Sequence, residues 1–191
     1  LWHVRSKMSL GYTDTGGSFF YTHPQPFPMG VHQTERSMQL ISHLGCDSIM
    51  LDKKEFNFKD QGAIVFHAGG NDSKRAWPEN RWIKLAETLS KNNQIAIVKT
   101  PETTTLIELM KEREFKVEIF DGDLVKFKNW LRNQKMLIGN DSMPGHLAAY
   151  LGIPVISIFG AQDQNLTCPI GKWITFIQPN ESCEHKRNHW R

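Results

Sequence analysis

Two loops in this 191-residue chain place polar residues, including a serine hydroxyl in each, directly after apolar, strand-like runs. The first loop follows residues 63–67 and contains Gly69, Gly70, Lys74 and Arg75. Adjacent glycines let the backbone approach a ligand closely, and the two basic side chains place positive charge beside it. The alternative is a plain turn followed by a solvated charge pair. In combination with the second loop, this composition favours a phosphate site.

The second loop joins the apolar run 136–139 to a predicted helix over residues 144–151, and it contains Asp141, Ser142 and Met143. The first N–H groups of a helix lack intrahelical partners and lie at the positive end of its dipole, so this point can bind an anion. The Ser142 hydroxyl and the backbone N–H groups of Ser142 and Met143 would donate to a phosphate. The alternative is that Asp141 or Ser142 only caps the helix.

Three other groups of polar residues allow more than one interpretation. His146, one turn into the second helix, either contacts the ligand or is a packed, hydrogen-bonded histidine. Residues 121–123 read D-G-D, a spacing that can hold a divalent ion, but they follow a strand. We predict a turn there in which Asp123 caps the next helix. Residues 183–190 contain Cys and His, and we predict a disordered end. No metal site is predicted.

Apolar runs alternate with amphipathic segments, which predicts a doubly wound, Rossmann-like parallel sheet of the α/β class. The predicted strands cover residues 63–67, 94–99, 117–120, 136–139, 154–159 and 173–177, and the helices between them cover 78–90, 102–113, 123–132 and 144–151. Ligands of such sheets bind at the carboxyl ends of the strands, where both loops lie. Residues 1–30 are predicted to be irregular, and a helix is predicted over 32–44 with Met38, Ile41 and Leu44 facing inward.

Residues 67–78 and 138–160 resemble glycosyltransferase family 9, the bacterial lipopolysaccharide heptosyltransferases. The first segment, H-A-G-G-x-x-x-K-R-x-W-P, resembles the family's G-x-x-x-x-K-R-W-P block. The second, I-G-N-D-S-x-x-x-H-L-A-A, resembles its D-T-G-x-x-H-x-A-A block, and residues 30–36 resemble its interdomain segment. The resemblance implies a GT-B architecture, in which two Rossmann-like domains face each other and the C-terminal one holds most of the nucleotide sugar.

The resemblance also implies roles for individual residues. Lys74 or Arg75 would contact the phosphates, and Glu102 would accept hydrogen bonds from the ribose hydroxyls. Met143 stands where the family usually has Gly, and it adds bulk where the backbone should approach the sugar diphosphate. The predicted donor-binding residues are Gly69, Gly70, Lys74, Arg75, Glu102, Asp141, Ser142, Met143 and His146. No cofactor is predicted beyond the nucleotide diphosphate sugar itself.

Family members are larger than this chain, which begins at Leu1 rather than at Met. We expect residues 1–60 to form the end of an N-terminal domain with an interdomain helix. Residues 61–178 would then form the nucleotide-sugar-binding domain, and residues 179–191 a tail. Since the family's catalytic carboxylate lies in the N-terminal half, the catalytic residue stays unknown, and we expect this chain to bind a donor without catalysing transfer alone.

The reaction that the resemblance implies is inverting transfer of a heptose, or a related sugar, from an ADP-linked donor. The expected acceptor is bacterial lipopolysaccharide or another surface glycan. The expected location is the cytoplasm at the inner face of the inner membrane, with peripheral membrane contact by the full-length protein. Two alternatives are a non-catalytic nucleotide-binding module with half of the GT-B fold, and a different GT-B enzyme such as a nucleotide-sugar epimerase.

Composition excludes some classes of partner. The formal net charge is only +3, and no basic cluster or basic stripe with aromatic residues is present, which argues against nucleic acid. The three cysteines lack C-x-x-C spacing, which fits a reducing compartment and disfavours a zinc site.

Overall fold

The computed structural model describes residues 6–46, 61–70, 76–160 and 162–179, and these form two compact units. Residues 6–46, together with 165–167, make up the smaller unit, and the other described residues make up the larger one. The expectation that the first unit ends an N-terminal domain stays a prediction.

The smaller unit is more regular at its start than predicted. Strands β1 (Leu10–Tyr12) and β2 (His23–Gln25) pair in parallel, so the prediction of irregular structure there was wrong. Side chains hold the pair together, because the Ser9 N–H donates to the Thr22 hydroxyl at 2.8 Å and the Thr22 N–H donates to the Ser9 hydroxyl at 2.9 Å. These bonds depend on contacts across thirteen residues, which local periodicity does not report.

Helix α1 (Gln33–Ser42) is shorter than predicted and begins at an N-cap, His32, whose ring accepts from the Thr34 N–H. The prediction that Leu44 faces inward was wrong: the helix ends before it, and its side chain is 55% exposed. The buried residue of α1 is Arg36, whose guanidinium lies 4.6 Å from the centre of the Phe27 ring. Stacking on an aromatic face favours burial of this cation.

The larger unit is a six-stranded parallel sheet with helices on both faces, which confirms the predicted fold class. Its strands are β3 (Ile64–His67), β4 (Ile95–Val98), β5 (Val117–Phe120), β6 (Met136–Asn140), β7 (Val155–Ile158) and β8 (Ile174–Ile177). Its helices are α2 (Glu79–Leu89), α3 (Thr104–Glu112), α4 (Leu124–Leu131) and α5 (Met143–Tyr150). A single turn, α6 (Gln164–Thr167), follows β7 in the chain, and its residues 165–167 belong to the smaller unit. Apart from α6, which was not predicted, every boundary lies within two residues of its prediction.

Alternating side chains on the central strands build a separate core on each face of the sheet. Ile64 and Phe66 pack with α2 and α3 on one face, and Ala63 and Val65 pack with α4 and α5 on the other. Trp82 of α2 is fully buried, and its ring lies 5.1 Å from that of Phe66. Covered faces of this kind are what a parallel sheet requires.

The strand order is β5-β4-β3-β6-β7-β8. Counted in chain order within the sheet, this is the 3-2-1-4-5-6 order of the Rossmann fold. The chain reverses direction across the sheet between β3 and β6, so a crevice is expected where the carboxyl ends of these two strands meet. We call that place the switch point. None of the described helices is long and apolar enough to cross a membrane.

Candidate functional site

The switch point brings together the two loops that the sequence singles out. Strand β3 ends at His67 and is followed by Gly69 and Gly70, whereas β6 ends at Asn140 and is followed by Ser142. The strands pair in parallel over four residues, and the last pair joins His67 to Gly139. Both loops therefore leave the sheet side by side at the same edge.

A buried asparagine side chain joins the two loops. Asn140 is 2% exposed, and its amide donates to the carbonyls of Ala68 at 2.7 Å and Gly69 at 3.3 Å. Its side-chain oxygen accepts from the backbone N–H of Trp77 at 3.0 Å. Asn140 was not among the predicted site residues. A polar residue at the end of an apolar strand was the only signal that the sequence offered.

A second contact ties the loops together through His67. Its Nδ1 lies 3.1 Å from the Ser142 hydroxyl oxygen, which also lies 3.2 Å from the Asn140 carbonyl oxygen. A hydroxyl has one proton and two lone pairs, so it can donate to one of these groups while it accepts from the imidazole or from a ligand. Ser142 thus has a fixed position beside the helix start. His67 was likewise absent from the predicted set.

The environment of His67 keeps its imidazole neutral. Burial lowers the pKa of His67 from its ordinary 6.5 to about 4, although a backbone hydrogen bond and the nearby Glu102 carboxylate act in the opposite direction. A base with so low a pKa is poorly suited to remove a proton from a serine hydroxyl. The contact between His67 and Ser142 therefore orients the hydroxyl rather than activating it as a nucleophile.

The start of α5 presents unused donors beside this hydroxyl. Ser142 is the N-cap residue of α5, but its side chain makes no capping hydrogen bond. The alternative that the Ser142 side chain only caps the helix was therefore wrong. No described residue accepts a hydrogen bond from the backbone N–H of Ser142 or Met143. Pro144 has no N–H, and the Gly145 N–H donates to the Ser142 carbonyl at 3.1 Å. Two backbone donors thus lie at the positive end of the helix dipole.

The other predicted residues of this loop differ in exposure. Met143 is 53% exposed at the first position of α5, and His146 is exposed one turn later. Asp141 is 5% exposed, and it lies near Cys168, where burial and this carboxylate raise the pKa of the thiol. Met143 and His146 are therefore accessible to a ligand, whereas Asp141 supports the loop from inside.

The loop after β3 approaches the next strand end closely. A Cβ added at Gly69 would lie 2.6 Å from the Thr100 hydroxyl oxygen, so this position has room only for glycine. Gly70 has open space around it and lines a cavity of about 430 Å³ together with Glu102. The remaining walls of the cavity are Ala68, Ala76, Trp77, Glu79, Trp82 and Leu106. Lys74 and Arg75 lie outside the described residues.

Glu102 is exposed and lies in the single turn after β4, where the neighbouring Thr100 side chain lowers the pKa of its carboxyl. Backbone hydrogen bonding and the nearby His67 act in the same direction. An ionised carboxylate at the mouth of an otherwise mostly apolar cavity can accept hydrogen bonds from two hydroxyl groups of a ligand. The structure thus places Gly70 and Glu102 in one cavity.

The D-G-D segment leads from β5 into the cap of α4, and no turn is assigned to its three residues. Asp123 is the N-cap of α4 and accepts from the Lys126 N–H at 2.8 Å, which confirms the predicted cap. Asp121 instead forms an ion pair with Lys99 at 2.6 Å. Within the described parts of the chain, no group of three or more His, Cys, Asp or Glu side chains is arranged to hold a metal ion.

Comparison with known sequences gives a family match over nearly the whole chain. The sequence model described as glycosyltransferase family 9 (heptosyltransferase) matches residues 2–190. A curated relative, lipopolysaccharide heptosyltransferase 1 of Pseudomonas aeruginosa, is 26% identical over 167 residues, which are 81% of this chain and 47% of the relative. The Campylobacter coli protein of the same name is 26% identical over 128 residues, 59% of this chain and 35% of that protein. The chain thus spans about half the length, or less, of these relatives.

Solved structures share the fold. The Escherichia coli heptosyltransferase WaaC with ADP has a TM-score of 0.69 and 22% identity, covering 84% of this chain and 54% of that one. A family 9 glycosyltransferase from Veillonella parvula has a TM-score of 0.78 and 15% identity, covering 96% of this chain and 60% of that one. At these identities the similarity establishes architecture, and it agrees with the GT-B expectation.

Substitution of the two adjacent glycines tests the close approach to Thr100. Gly69→Ala is expected to lower the free energy of unfolding by about 1–3 kcal/mol, because the new methyl group overlaps the Thr100 side chain. Gly70→Ala is the matched control and is expected to change it by less than about 0.5 kcal/mol, since its methyl group meets nothing within 4 Å. Urea denaturation measures both values, and equal losses would contradict the packing described here.

The neutral state of His67 predicts a pH dependence of stability. Between pH 4 and 6.5 the unfolded chain protonates this residue while the folded chain excludes the proton, so the free energy of unfolding should increase with pH. The neutral His67 contributes about 3 kcal/mol to the free energy of unfolding above pH 6.5, and this contribution is lost as the pH falls to about 4.

The variant His67→Gln, which cannot titrate but can still hydrogen-bond to Ser142, isolates this contribution. Urea denaturation at intervals across the same pH range should give a shallower dependence for the variant than for the unmodified chain. Equal dependences in the two proteins would show that His67 is not the group responsible.

Proposed function

This chain belongs to glycosyltransferase family 9, and from that membership we propose that it binds the nucleotide part of a nucleotide-sugar donor. The observation that carries the proposal is the arrangement at the switch point. Free N–H groups at the start of α5 lie there beside a fixed Ser142 hydroxyl, and the loop after β3 opens into a cavity with Glu102. Ligands of doubly wound sheets bind at this kind of place.

The order of the strand ends supports one direction for the bound donor. Glu102 follows β4, Gly70 follows β3 and Ser142 follows β6, and these three strands are consecutive in the sheet. A nucleotide lying along this edge would place its ribose hydroxyls at Glu102. Its diphosphate would then lie against Gly69, Gly70 and the start of α5, with Lys74 or Arg75 adding positive charge.

The donor that we propose is an ADP-linked heptose. The names of similar proteins support this choice, since two curated relatives are lipopolysaccharide heptosyltransferases and the solved WaaC structure contains ADP. A further structural neighbour, the dodecameric heptosyltransferase TibC, is described in complex with ADP-D-β-D-heptose and has a TM-score of 0.57. For this chain, both the nucleotide and the sugar are part of the proposal.

The chemistry that these residues would supply is stabilisation of the leaving group. When the sugar departs, negative charge develops on the diphosphate, and fixed N–H dipoles can stabilise that charge without reorganising. The backbone donors of Ser142 and Met143 and the Ser142 hydroxyl fit this role. We further propose inverting transfer, and none of the described residues is assigned the catalytic carboxylate.

The acceptor and the location extend the same proposal. We assign a glycan or glycolipid acceptor of the lipopolysaccharide type, as the names of the curated relatives suggest. Such an acceptor would bring the full-length protein to the inner face of the bacterial inner membrane as a peripheral protein. The donor site can be tested with the nucleotide alone, without the acceptor.

Calorimetric titration with ADP, UDP, GDP and CMP tests the choice of donor. The unmodified chain is expected to bind ADP in preference to the others. The double variant Lys74→Ala, Arg75→Ala should weaken ADP binding by about tenfold or more, because it removes the two positive charges that the proposal assigns to the diphosphate. The double variant Lys128→Ala, Arg132→Ala is the matched control. It removes the same charge at the other end of the sheet, where α4 leads into β6.

Preference for another nucleotide would retain a nucleotide-sugar donor and contradict an ADP-linked one. Equal weakening by both double variants would indicate that only net charge matters. If the unmodified chain binds none of the four nucleotides, the proposal that this chain holds the donor by itself fails.

A ribose analogue tests the role of Glu102. The unmodified chain is expected to bind 2′-deoxy-ADP about tenfold more weakly than ADP, because one of the two hydroxyls that the carboxylate accepts from is absent. Glu102→Gln should bind both nucleotides with similar affinity. Glu79→Gln, which changes a second carboxylate on the wall of the same cavity, should keep the preference. Retention of the preference in Glu102→Gln would place the ribose elsewhere.

A further inference from the structure

We infer that Asn140 is a positioning residue for the donor, holding both ends of the loop between β3 and α2 against the end of β6. The inference rests on the proposed function, because its consequence is the affinity for the nucleotide. Asn140 is only 2% exposed, so its side chain acts through the loop rather than by contact with the ligand.

The hydrogen bonds of Asn140 reach both ends of the loop. Two of them go to the carbonyls of Ala68 and Gly69, where the loop leaves the sheet. The third comes from the Trp77 N–H, where the loop returns to α2. Because all three are made by one planar amide, the two ends of the loop keep a fixed separation.

The position of Asn140 explains why a side chain is needed here. The backbone pairing of β3 with β6 ends at His67 and Gly139, so the carbonyls of Ala68 and Gly69, which follow β3, have no partner in this ladder. The Asn140 amide supplies donors for these carbonyls, and its oxygen accepts from the returning chain. An aspartate of the same size offers oxygen acceptors only, and it cannot donate to the carbonyls of Ala68 and Gly69.

The same bonds determine the geometry of the donor site. Gly70, which lines the cavity with Glu102, follows the carbonyls that Asn140 holds. Ser142 and the start of α5 lie two residues after Asn140 on the other side of the switch point. Asn140 therefore fixes the backbone at Gly69 and at Trp77 relative to the helix start that would bind the diphosphate, and its loss should weaken binding without removing any contact group.

Two substitutions of Asn140 test its hydrogen bonds to the two ends of the loop separately. Asn140→Ala removes all three hydrogen bonds, and Asn140→Asp keeps an acceptor for the Trp77 N–H while it loses the donors to the carbonyls. Asn93→Ala is the matched control, because Asn93 also donates to a carbonyl, that of Leu89, and accepts from Lys135 at the opposite end of the sheet. ADP affinity is measured by calorimetry and the Trp77 amide by hydrogen exchange, after near-ultraviolet circular dichroism shows each variant to be folded.

We expect ADP affinity to fall by about tenfold or more in both Asn140 variants and to change by less than about twofold in Asn93→Ala. Exchange of the Trp77 amide should accelerate in Asn140→Ala but not in Asn140→Asp or Asn93→Ala. A merely structural role would predict similar affinity losses in Asn140→Ala and Asn93→Ala at similar loss of stability, and that result would overturn the inference.

Unchanged ADP affinity in the Asn140 variants, with normal binding by the unmodified chain, would also overturn the inference while leaving the proposed function intact. If the unmodified chain does not bind ADP, the proposed function fails. The exchange of the Trp77 amide then still decides whether Asn140 holds the loop, and unchanged exchange in Asn140→Ala would refute that.

Discussion

Polar groups at the end of a buried strand need hydrogen-bond partners, and this requirement organises the site. Strand β3 stops pairing with β6 at His67, but the chain beyond it is still covered, with Gly69 buried against Thr100. The Asn140 side chain donates to the carbonyls of Ala68 and Gly69, which have no partner in the β3–β6 ladder. Because the amide comes from the neighbouring strand, satisfying these groups also joins the two loops.

The electrostatics of the switch point follow from the same burial. A protonated imidazole at His67 would add positive charge near a phosphate, but burial opposes that charge and leaves the ring neutral. His67 therefore adds no positive charge to the backbone dipoles at the start of α5, and those dipoles do not titrate. An ionised Glu102 would repel a diphosphate but can accept hydrogen bonds from sugar hydroxyls. In the proposed site, charge would therefore direct the ribose of a nucleotide to Glu102 and its diphosphate to the start of α5.

Sequence reasoning located the strands and helices of the large sheet because covering both faces of a parallel sheet produces apolar runs that local patterns reveal. It also placed Gly70 and Ser142 at strand ends, where the topology brings loops together. It did not find the hydrogen bonds of Asn140 and His67, which join residues 63 to 75 positions apart and leave no local pattern. For the same reason the short pairing of β1 with β2 was missed. The prediction that Leu44 faces inward was wrong because α1 ends at Ser42, whereas the apolar pattern continues to Leu44.

The start of α5 has few free N–H groups, and this increases the importance of the hydrogen bonds by which Asn140 holds the chain after β3. Pro144 removes one donor, and the Gly145 N–H is used within the turn, so the helix offers a phosphate only the N–H groups of Ser142 and Met143. The Met143 side chain, at a position where the family usually has glycine, further limits the directions from which a diphosphate can approach. With so few donors from the helix, the proposed donor site needs further contacts from the opposite side of the switch point. There the backbone at Ala68 and Gly69 is held by Asn140, so under the proposal the position of a buried amide would influence donor affinity.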